Sequence, residues 1–333
     1  MPPLRVVSLR GADVESVHLV SAVVVNDRGD RVAWCGDPAR PTHLRSAAKP
    51  FQAIPLVADG VIERFGLTPE ELALACASHN SEPRQVALVS GVLARLGLDE
   101  AALACGPHRP LSRDLAIRAP DTPPPEETIA RTPLSSNCSG KHAGMLALAL
   151  HHGWATDGYE SAGHPVQNRC RAAVAMWTGV PEDEIGESVD GCGVVCFRLP
   201  LAAMALGFAR LGTSAAPEAE AIRSAMMGHP DLVAGKDRLC TALMGGYPGE
   251  VVAKVGADGV YGAALPHKGL GVALKVEDGD ARAAMAALLS VLDQIGVAPA
   301  PTSRIQRFAE FPIQNTRRRA VGVLRADGDL TFD

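Results

Sequence analysis

The sequence predicts an α+β fold, of mixed α/β content, in which one antiparallel sheet is built from both ends of the chain and a block of helices packs against it. Strand patterns occur near the N-terminus and again late in the chain, while the segment between them carries apolar residues at helical spacing. The 333 residues are 47% hydrophobic and 21% charged, as in an ordinary globular protein. We expect one domain over residues 1–333, because no clear boundary divides the chain.

Strands and then helices are predicted in the first hundred residues. The runs LRVVSL, VESVHLVSAVVVND and RVAWCG are rich in β-branched residues, and the turn residues Asn26–Asp30 separate the last two. Helical patterns follow at residues 46–58, 68–77 and 81–98, with a proline in the first turn of the second. The N-terminal part of the sheet is therefore a hairpin arrangement that leads into helices.

The second half of the pattern begins after a proline-rich segment. Residues 105–133 are rich in proline and charge, which predicts an irregular surface excursion and makes this segment a candidate lid. Helical patterns resume at 135–154, 164–179, 201–212 and 217–230. Two strands then flank an Asp258-Gly259 turn, and a third leads through an Asp278-Gly279 turn into a closing helix.

Composition and charge exclude several classes of protein. The chain has 37 acidic and 32 basic side chains and a net charge of −5, so no nucleic-acid partner is expected. It shows no secretory signal and no apolar run long enough to cross a membrane. Its eight scattered cysteines are expected to be reduced thiols in a cytoplasmic protein. An enzyme that acts on a small molecule is the remaining expectation.

Three short motifs carry the first candidate chemistry. Ser46 and Lys49 lie three residues apart at the head of a predicted helix, so the lysine amine is expected to reach the serine hydroxyl. A serine needs a base to become a nucleophile, and a lysine of lowered pKa can serve as one. Ser78 follows a helix in Ser-His-Asn, and Lys254 lies on a late strand in Lys-Val-Gly. Each motif alone is common by chance, but SxxK, SxN and KxG in this order match the signature of penicillin-binding proteins and β-lactamases.

Thiols in glycine-containing segments carry the second candidate chemistry. Cys138 and Lys141 lie in SSNCSGKHAGML, and Cys192 lies in DGCGVVC. The Gly-Lys pair of the first segment lacks the other residues of a phosphate-binding loop, so nucleotide binding is rejected. A zinc site formed by Cys138, Cys192 and a nitrogen ligand is conceivable, although buried structural thiols are the alternative for both, and for Cys240.

These motifs together resemble a known family. The strings RSAAKPFQAIPL, LACASHNSEP, SSNCSGKHAGML, DGCGVVCFRLP and KVGADGVYGAAL are similar to those of the asparaginase II family of the Rhizobium etli type, over about residues 6–328. The resemblance implies a serine β-lactamase/glutaminase-like fold and a homodimer. It also implies hydrolysis of L-asparagine to L-aspartate and ammonia.

The resemblance further implies roles for individual residues. Ser46 is similar to the family's nucleophile and Lys49 to its base, with Ser78 assisting proton transfer and Lys254 supporting a second Ser-Lys pair.

The binding residues follow from the same resemblance. A zinc ion is expected beside the active centre, on the ligands Cys138, Lys141 and Cys192. A substrate-holding pair is expected in Arg45, for the α-carboxylate, and Asp190, for the α-ammonium. His142 and Cys240 are expected nearby.

Some alternatives stay open at this point. Either Ser46 or Ser78 could supply the attacking hydroxyl, because both are paired with a lysine. The substrate could be glutamine or a β-lactam, as in a glutaminase or a penicillin-recognising acyl-transferase or β-lactamase-like hydrolase. A third hypothesis is a catalytically inactive zinc-binding protein of the same fold. The intact Ser46/Lys49 pair argues against it.

Overall fold

A computed structural model of the chain describes residues 1–108, 132–297 and 303–333. Most of the candidate lid at 105–133 therefore lies outside the described residues. In the described parts, no helix is long and apolar enough to cross a membrane. All eight cysteines are buried free thiols.

Among the described residues, the main sheet contains nine strands from the two ends of the chain. They are β1 (Leu4–Arg10), β2 (Asp13–Asn26), β3 (Arg31–Cys35), β7 (Val252–Val255), β8 (Val260–Leu265), β9 (Leu270–Val276), β10 (Glu310–Gln314), β11 (Ala320–Asp327) and β12 (Thr331–Phe332). The central path of the sheet runs β10-β11-β1-β2-β9-β8-β7, and β3 joins β2 and β12 beside it, with every pairing antiparallel. The pairing of β2 with β9, in which Val23 lies opposite Ala273, joins the N-terminal and C-terminal strands. The predicted α+β architecture, with a sheet built from both termini, is confirmed.

A second, small sheet was not predicted. It has the order β4-β6-β5, from β4 (Pro41–His43), β5 (Gly186–Val189) and β6 (Val195–Pro200). These strands have only 3, 4 and 6 residues, too few for apolar alternation to stand out in the sequence. The sheet brings residues just after position 43 beside residues just after position 189.

Twelve α-helices are described, and the longer ones fall where the sequence predicts them. They are α1 (Lys49–Ala58), α2 (Val61–Phe65), α3 (Pro69–Ala75), α4 (Pro83–Arg95), α5 (Ser139–His152), α6 (Pro165–Thr178), α7 (Leu201–Thr213), α8 (Pro217–Gly228), α9 (Pro230–Val233), α10 (Leu239–Gly246), α11 (Ala281–Gln294) and α12 (Ser303–Gln306). The predicted helix at 46–58 is divided. Residues Arg45–Ala48 form a 3₁₀ turn, and the α-helix begins at Lys49 because Pro50 suits its first turn.

The main sheet is covered on both faces. Helix α7 packs against β2, β8 and β9, where an added Cβ at Gly271 would overlap the carbonyl oxygen of Ala205. Helix α11 also packs against β8 and β9. Successive residues of a strand point to opposite faces, and Gly262 faces α7 while Tyr261 shares a cavity with Met285 of α11. The two helices therefore lie on opposite faces, and the cavity opens on the α11 side.

Candidate active site

One cavity of about 480 Å³ gathers most of the predicted site residues. Its wall combines the turns that follow β4 and β5 of the small sheet, the turn between β7 and β8, and the segment that leads into α5. Six predicted residues line it: Arg45, Ser46, Ser78, Cys138, Asp190 and Cys192. The other predicted residues, Lys49, Lys141, His142, Cys240 and Lys254, are buried outside this lining.

The Ser78 hydroxyl bridges two buried lysine amines. Lys254 Nζ donates to Ser78 Oγ at 2.7 Å, and Lys49 Nζ donates to the same oxygen at 3.1 Å. The backbone holds this serine in place, because Ser78 N donates to the carbonyl of Val233 at 2.8 Å. A hydroxyl between two amines can pass a proton from one to the other.

Lys254 is poised to act as a base. Its side chain is fully buried, and burial, followed by the charge of Lys49, lowers the pKa of the Lys254 amine to about 7. Near neutral pH a substantial fraction of this amine is therefore uncharged and able to accept a proton.

The helical spacing predicts a hydrogen bond between Lys49 and Ser46, and none is present among the described residues. Lys49 Nζ instead donates to Ala77 O at 2.5 Å and Asn137 O at 3.5 Å, besides Ser78. These three acceptors match the three donors of a lysine ammonium, which explains why the amine turns toward the Ser78 loop.

Ser46 faces the cavity from a strained turn. The residue before it, Arg45, has φ of 49°, a left-handed conformation that non-glycine residues rarely adopt. Leu44 N donates to Phe197 O at 2.9 Å, which ties this turn to the small sheet. Strain of this kind is often found where a fold must hold a side chain at a functional site.

Arg45 and Asp190 form an ion pair with each other. Arg45 Nε lies 2.7 Å from Asp190 Oδ1, and the same guanidinium pairs with Asp258. Burial would raise the pKa of the Asp190 carboxyl, but the charges of Lys141 and Arg45 outweigh it and lower the pKa. Two carboxylates thus compensate one guanidinium, so Arg45 has no uncompensated positive charge. Asp258 was not predicted as a site residue; its turn with Gly259 was the only signal.

The three predicted zinc ligands are in contact. Lys141 Nζ lies 3.0 Å from Cys192 Sγ, and a hydrogen bond from Cys192 lowers the pKa of the Cys138 thiol well below its usual value. Burial opposes the charged form of Lys141, but the two thiols outweigh it and raise the pKa of its amine. Among the described residues, no group of three or more His, Cys, Asp or Glu side chains is placed to hold a metal ion, so a metal at these thiols would need Lys141 as a further ligand. Two sulfurs and one nitrogen that converge in this way form a donor set suited to Zn²⁺, which would hold Lys141 as the neutral amine after loss of its proton.

Close packing of α5 brings the thiols to the serine loop. An added Cβ at Gly140 would overlap the carbonyl oxygen of Leu74 in α3 and lie 2.8 Å from Leu74 Cγ. Beside this contact, His79 Nε2 lies 2.9 Å from Ser139 Oγ, which joins the residue after Ser78 to the start of α5. His79 and Ser139 are 60 residues apart in sequence, so this contact joins the Ser78 motif and the Cys138 motif into one structural unit.

His142 and Cys240 lie behind the cavity wall. His142 Nδ1 is 2.6 Å from the Tyr159 hydroxyl, and Cys240 Sγ is 2.9 Å from the hydroxyl of Tyr261. Tyr261 itself lines the cavity. These positions suit residues that support the wall.

Arg238 is the main site residue that the sequence did not reveal. It lines the cavity while its side chain is buried, and it precedes Cys240 in a segment with no recognisable motif. Only the folded chain brings it beside Ser78, from which it is separated by 160 residues.

Comparison with known proteins places the whole chain in one family. A β-lactamase of known structure from Mycobacterium bovis is similar at 14% identity, over 80% of this chain and 89% of that chain, with a TM-score of 0.33. No curated protein sequence matches the chain significantly. The family model described as L-asparaginase II matches residues 6–326. Since that match covers nearly all of the sequence, the chain belongs to the L-asparaginase II family.

Proposed function

We propose that this amidohydrolase-type protein hydrolyses L-asparagine to L-aspartate and ammonia through a serine nucleophile. Family membership supports an amide substrate. The observation that carries the proposal is the Ser78 hydroxyl between the amines of Lys49 and Lys254, in the wall of a cavity that Ser46 also lines. A serine hydroxyl beside an amine that can accept its proton, as Lys254 can, is the arrangement that a serine amidohydrolase needs.

Ser46 is the proposed attacking group. Its Oγ bonds to the side-chain amide carbon, and its proton passes to the lysine pair, with Ser78 as the relay. The C–N bond then breaks, the nitrogen takes up the relayed proton, and ammonia leaves. Water attacks the resulting ester, Ser46 recovers its proton, and L-aspartate is released. Each half of the reaction uses the lysines once as base and once as acid.

A second candidate has Ser78 as the nucleophile. It is favoured by the hydrogen bonds from both lysines, whereas no described group donates to or accepts from the Ser46 hydroxyl. In that case Ser46 would only shape the cavity. The two assignments differ in which serine carries the acyl group.

We also propose that Cys138, Lys141 and Cys192 hold a zinc ion. Two buried thiols and an amine in mutual contact support this assignment. Bound zinc would supply a fixed positive charge beside the cavity. For the chain itself, Lys141 and the thiols fix the start of α5 against the segment that carries Asp190, whose carboxylate is the proposed partner of the substrate's α-ammonium.

The remaining parts of the proposal concern selectivity, assembly and location. L-Glutamine is the nearest competing substrate, since it differs from L-asparagine by one methylene group, which apolar packing alone discriminates weakly. A homodimer in the cytoplasm is proposed from the family resemblance and the absence of disulfides between the eight cysteines. Light scattering of the purified protein tests the dimer.

Two assays test the proposed function together. The first measures ammonia release from L-asparagine and from L-glutamine, and the second measures turnover of a nitrocefin-type β-lactam. We expect release from L-asparagine by the wild type, none by Ser46→Ala, and no β-lactam turnover. Activity that survives in Ser46→Ala but vanishes in Ser78→Ala would favour the second candidate. If the zinc-loaded wild type released ammonia from neither amino acid, the proposal would be contradicted.

A further inference from the structure

We propose that Arg238 binds the α-carboxylate of the amino-acid substrate and so sets the preference for free amino acids with an amide side chain. This inference rests on the proposed function and refines it. It differs from the expectation from the sequence, in which Arg45 takes that carboxylate.

The guanidinium of Arg238 lies at the cavity and has one edge without a hydrogen-bond partner among the described residues. The side chain is 5% exposed, and it lines the cavity wall. Both of its hydrogen bonds use Nη1, to Asn80 Oδ1 at 3.0 Å and to Ser78 O at 3.5 Å. Nε and Nη2 have no hydrogen-bond partner within residues 1–108, 132–297 and 303–333. These two donors form the edge that binds a carboxylate in a bidentate manner.

Arg238 also lacks a counter-charge. Its partners are an amide oxygen and a carbonyl oxygen, and no carboxylate forms an ion pair with it among the described residues. A buried cation without an anion is unfavourable, and an anion that enters the cavity relieves that cost. An amino-acid carboxylate supplies this charge on two oxygens.

Arg45, by contrast, is already compensated. Its guanidinium pairs with Asp190 and with Asp258, so a substrate carboxylate would meet two negative groups beside it. The same group suits the substrate's α-ammonium. The cavity therefore has a negative side at Asp190 and a positive side at Arg238, which matches the two charges of an α-amino acid.

Arg238 lies beside the loop that carries Ser78, so a carboxylate bound to it would lie close to the proposed catalytic serines. Its Nη1 contacts the backbone carbonyl of Ser78 itself and the side chain of Asn80. A carboxylate held on the free edge is thus placed next to the serine loop, with the side-chain amide two carbons further along. A substrate that lacks the carboxylate loses this anchor but keeps the scissile amide.

The test compares L-asparagine with 3-aminopropanamide, which is asparagine without its α-carboxylate. We expect Arg238→Gln to lower kcat/KM for L-asparagine roughly 10- to 100-fold, mainly through KM, because a charged bidentate contact is lost. Turnover of 3-aminopropanamide should change less than about twofold. Arg238→Lys should recover part of the loss, since lysine keeps the positive charge but cannot form the bidentate contact.

Two matched variants complete the comparison. Arg84→Gln removes an exposed arginine that pairs with Glu70 and Asp231, and it should leave both substrates unaffected. Arg45→Gln tests the rival anchor and should not reproduce the selective rise in KM for L-asparagine. Equal loss on both substrates in Arg238→Gln would show a merely structural role and overturn the inference, as would a selective effect confined to Arg45→Gln.

A binding measurement separates this inference from the proposed function. By isothermal titration, the wild type should bind L-aspartate more tightly than β-alanine, which lacks the α-carboxylate, and Arg238→Gln should abolish that difference. This result stands even if no ammonia is released from L-asparagine. Equal affinities in the wild type, or a difference that survives in Arg238→Gln, would overturn the role of Arg238 while leaving asparagine hydrolysis intact.

Discussion

The lowered pKa of Lys254 gives the sharpest prediction for catalysis. The amine is fully buried beside Lys49, and its pKa of about 7 lies far below the 10.5 that is usual for a lysine amine. If the proton relay needs this amine uncharged, kcat/KM should rise with pH as the amine loses its proton. Relative to the plateau, activity should be half at pH 7, about one tenth at pH 6 and about one hundredth at pH 5.

The assay measures L-aspartate formation directly by chromatography, in a constant-ionic-strength buffer from pH 5 to 9. Samples held at pH 5 and returned to pH 8 must regain full activity, which excludes unfolding. Nearby histidines do not account for such a limb, since burial lowers the pKa of His79 to about 3 and that of His142 well below its usual value. A profile that is flat across this range, or a midpoint near 10, would refute the assignment of Lys254 as a base.

Three further predictions concern stability and metal content. The folded protein resists protonation of Lys254, whereas the unfolded chain binds this proton below about pH 10.5, so the free energy of unfolding of the wild type falls between pH 10.5 and pH 7. In denaturant titrations, the stability of Lys254→Met relative to wild type should therefore be about 3 kcal/mol greater at pH 6 than at pH 9. An equal effect at both pH values would contradict this. Gly140→Ala should destabilise the protein by roughly 1–3 kcal/mol or more, because the added methyl group overlaps Leu74. The control Gly91→Ala, on the exposed side of α4 with open space around it, should be neutral or stabilising by up to about 1 kcal/mol. Similar melting temperatures for the two variants would show that the α3–α5 contact relaxes freely. Cys138→Ser should lower the zinc content measured by elemental analysis and the melting temperature of the zinc-loaded protein, and stoichiometric zinc in this variant would contradict the ligand assignment.

The elements that position Ser78 and Lys254 were predictable from local chemistry. Asp258 and Gly259, both with positive φ, form the tight turn that an Asp-Gly pair predicts, and so the strand with Lys254 was found. Ser78 was placed just after a helix because Pro69 marks the first turn of that helix and its apolar run ends shortly before Ser78. The order of short motifs along the chain also indicated a common site, since each fell at the end of an element.

What the sequence could not reveal depends on contacts between distant segments. The turn of Lys49 toward Ser78 follows from the carbonyl oxygens of Ala77 and Asn137, which no spacing rule encodes. The ion pair of Arg45 with Asp190 depends on the small sheet, whose strands are too short to recognise in the sequence. Arg238 has no motif at all, and its free edge is visible only once the burial of its neighbours is known.

The identity of the acylated serine tests the central claim most directly. Wild type and Ser46→Ala are mixed with L-asparagine, quenched in acid within milliseconds to seconds, digested and analysed by mass spectrometry. We predict a β-aspartyl ester on the peptide that contains Ser46, and none in Ser46→Ala, because Ser46 is the proposed nucleophile of a covalent mechanism. An ester on Ser78, or full asparagine hydrolysis by Ser46→Ala with no ester on either serine, would contradict the account.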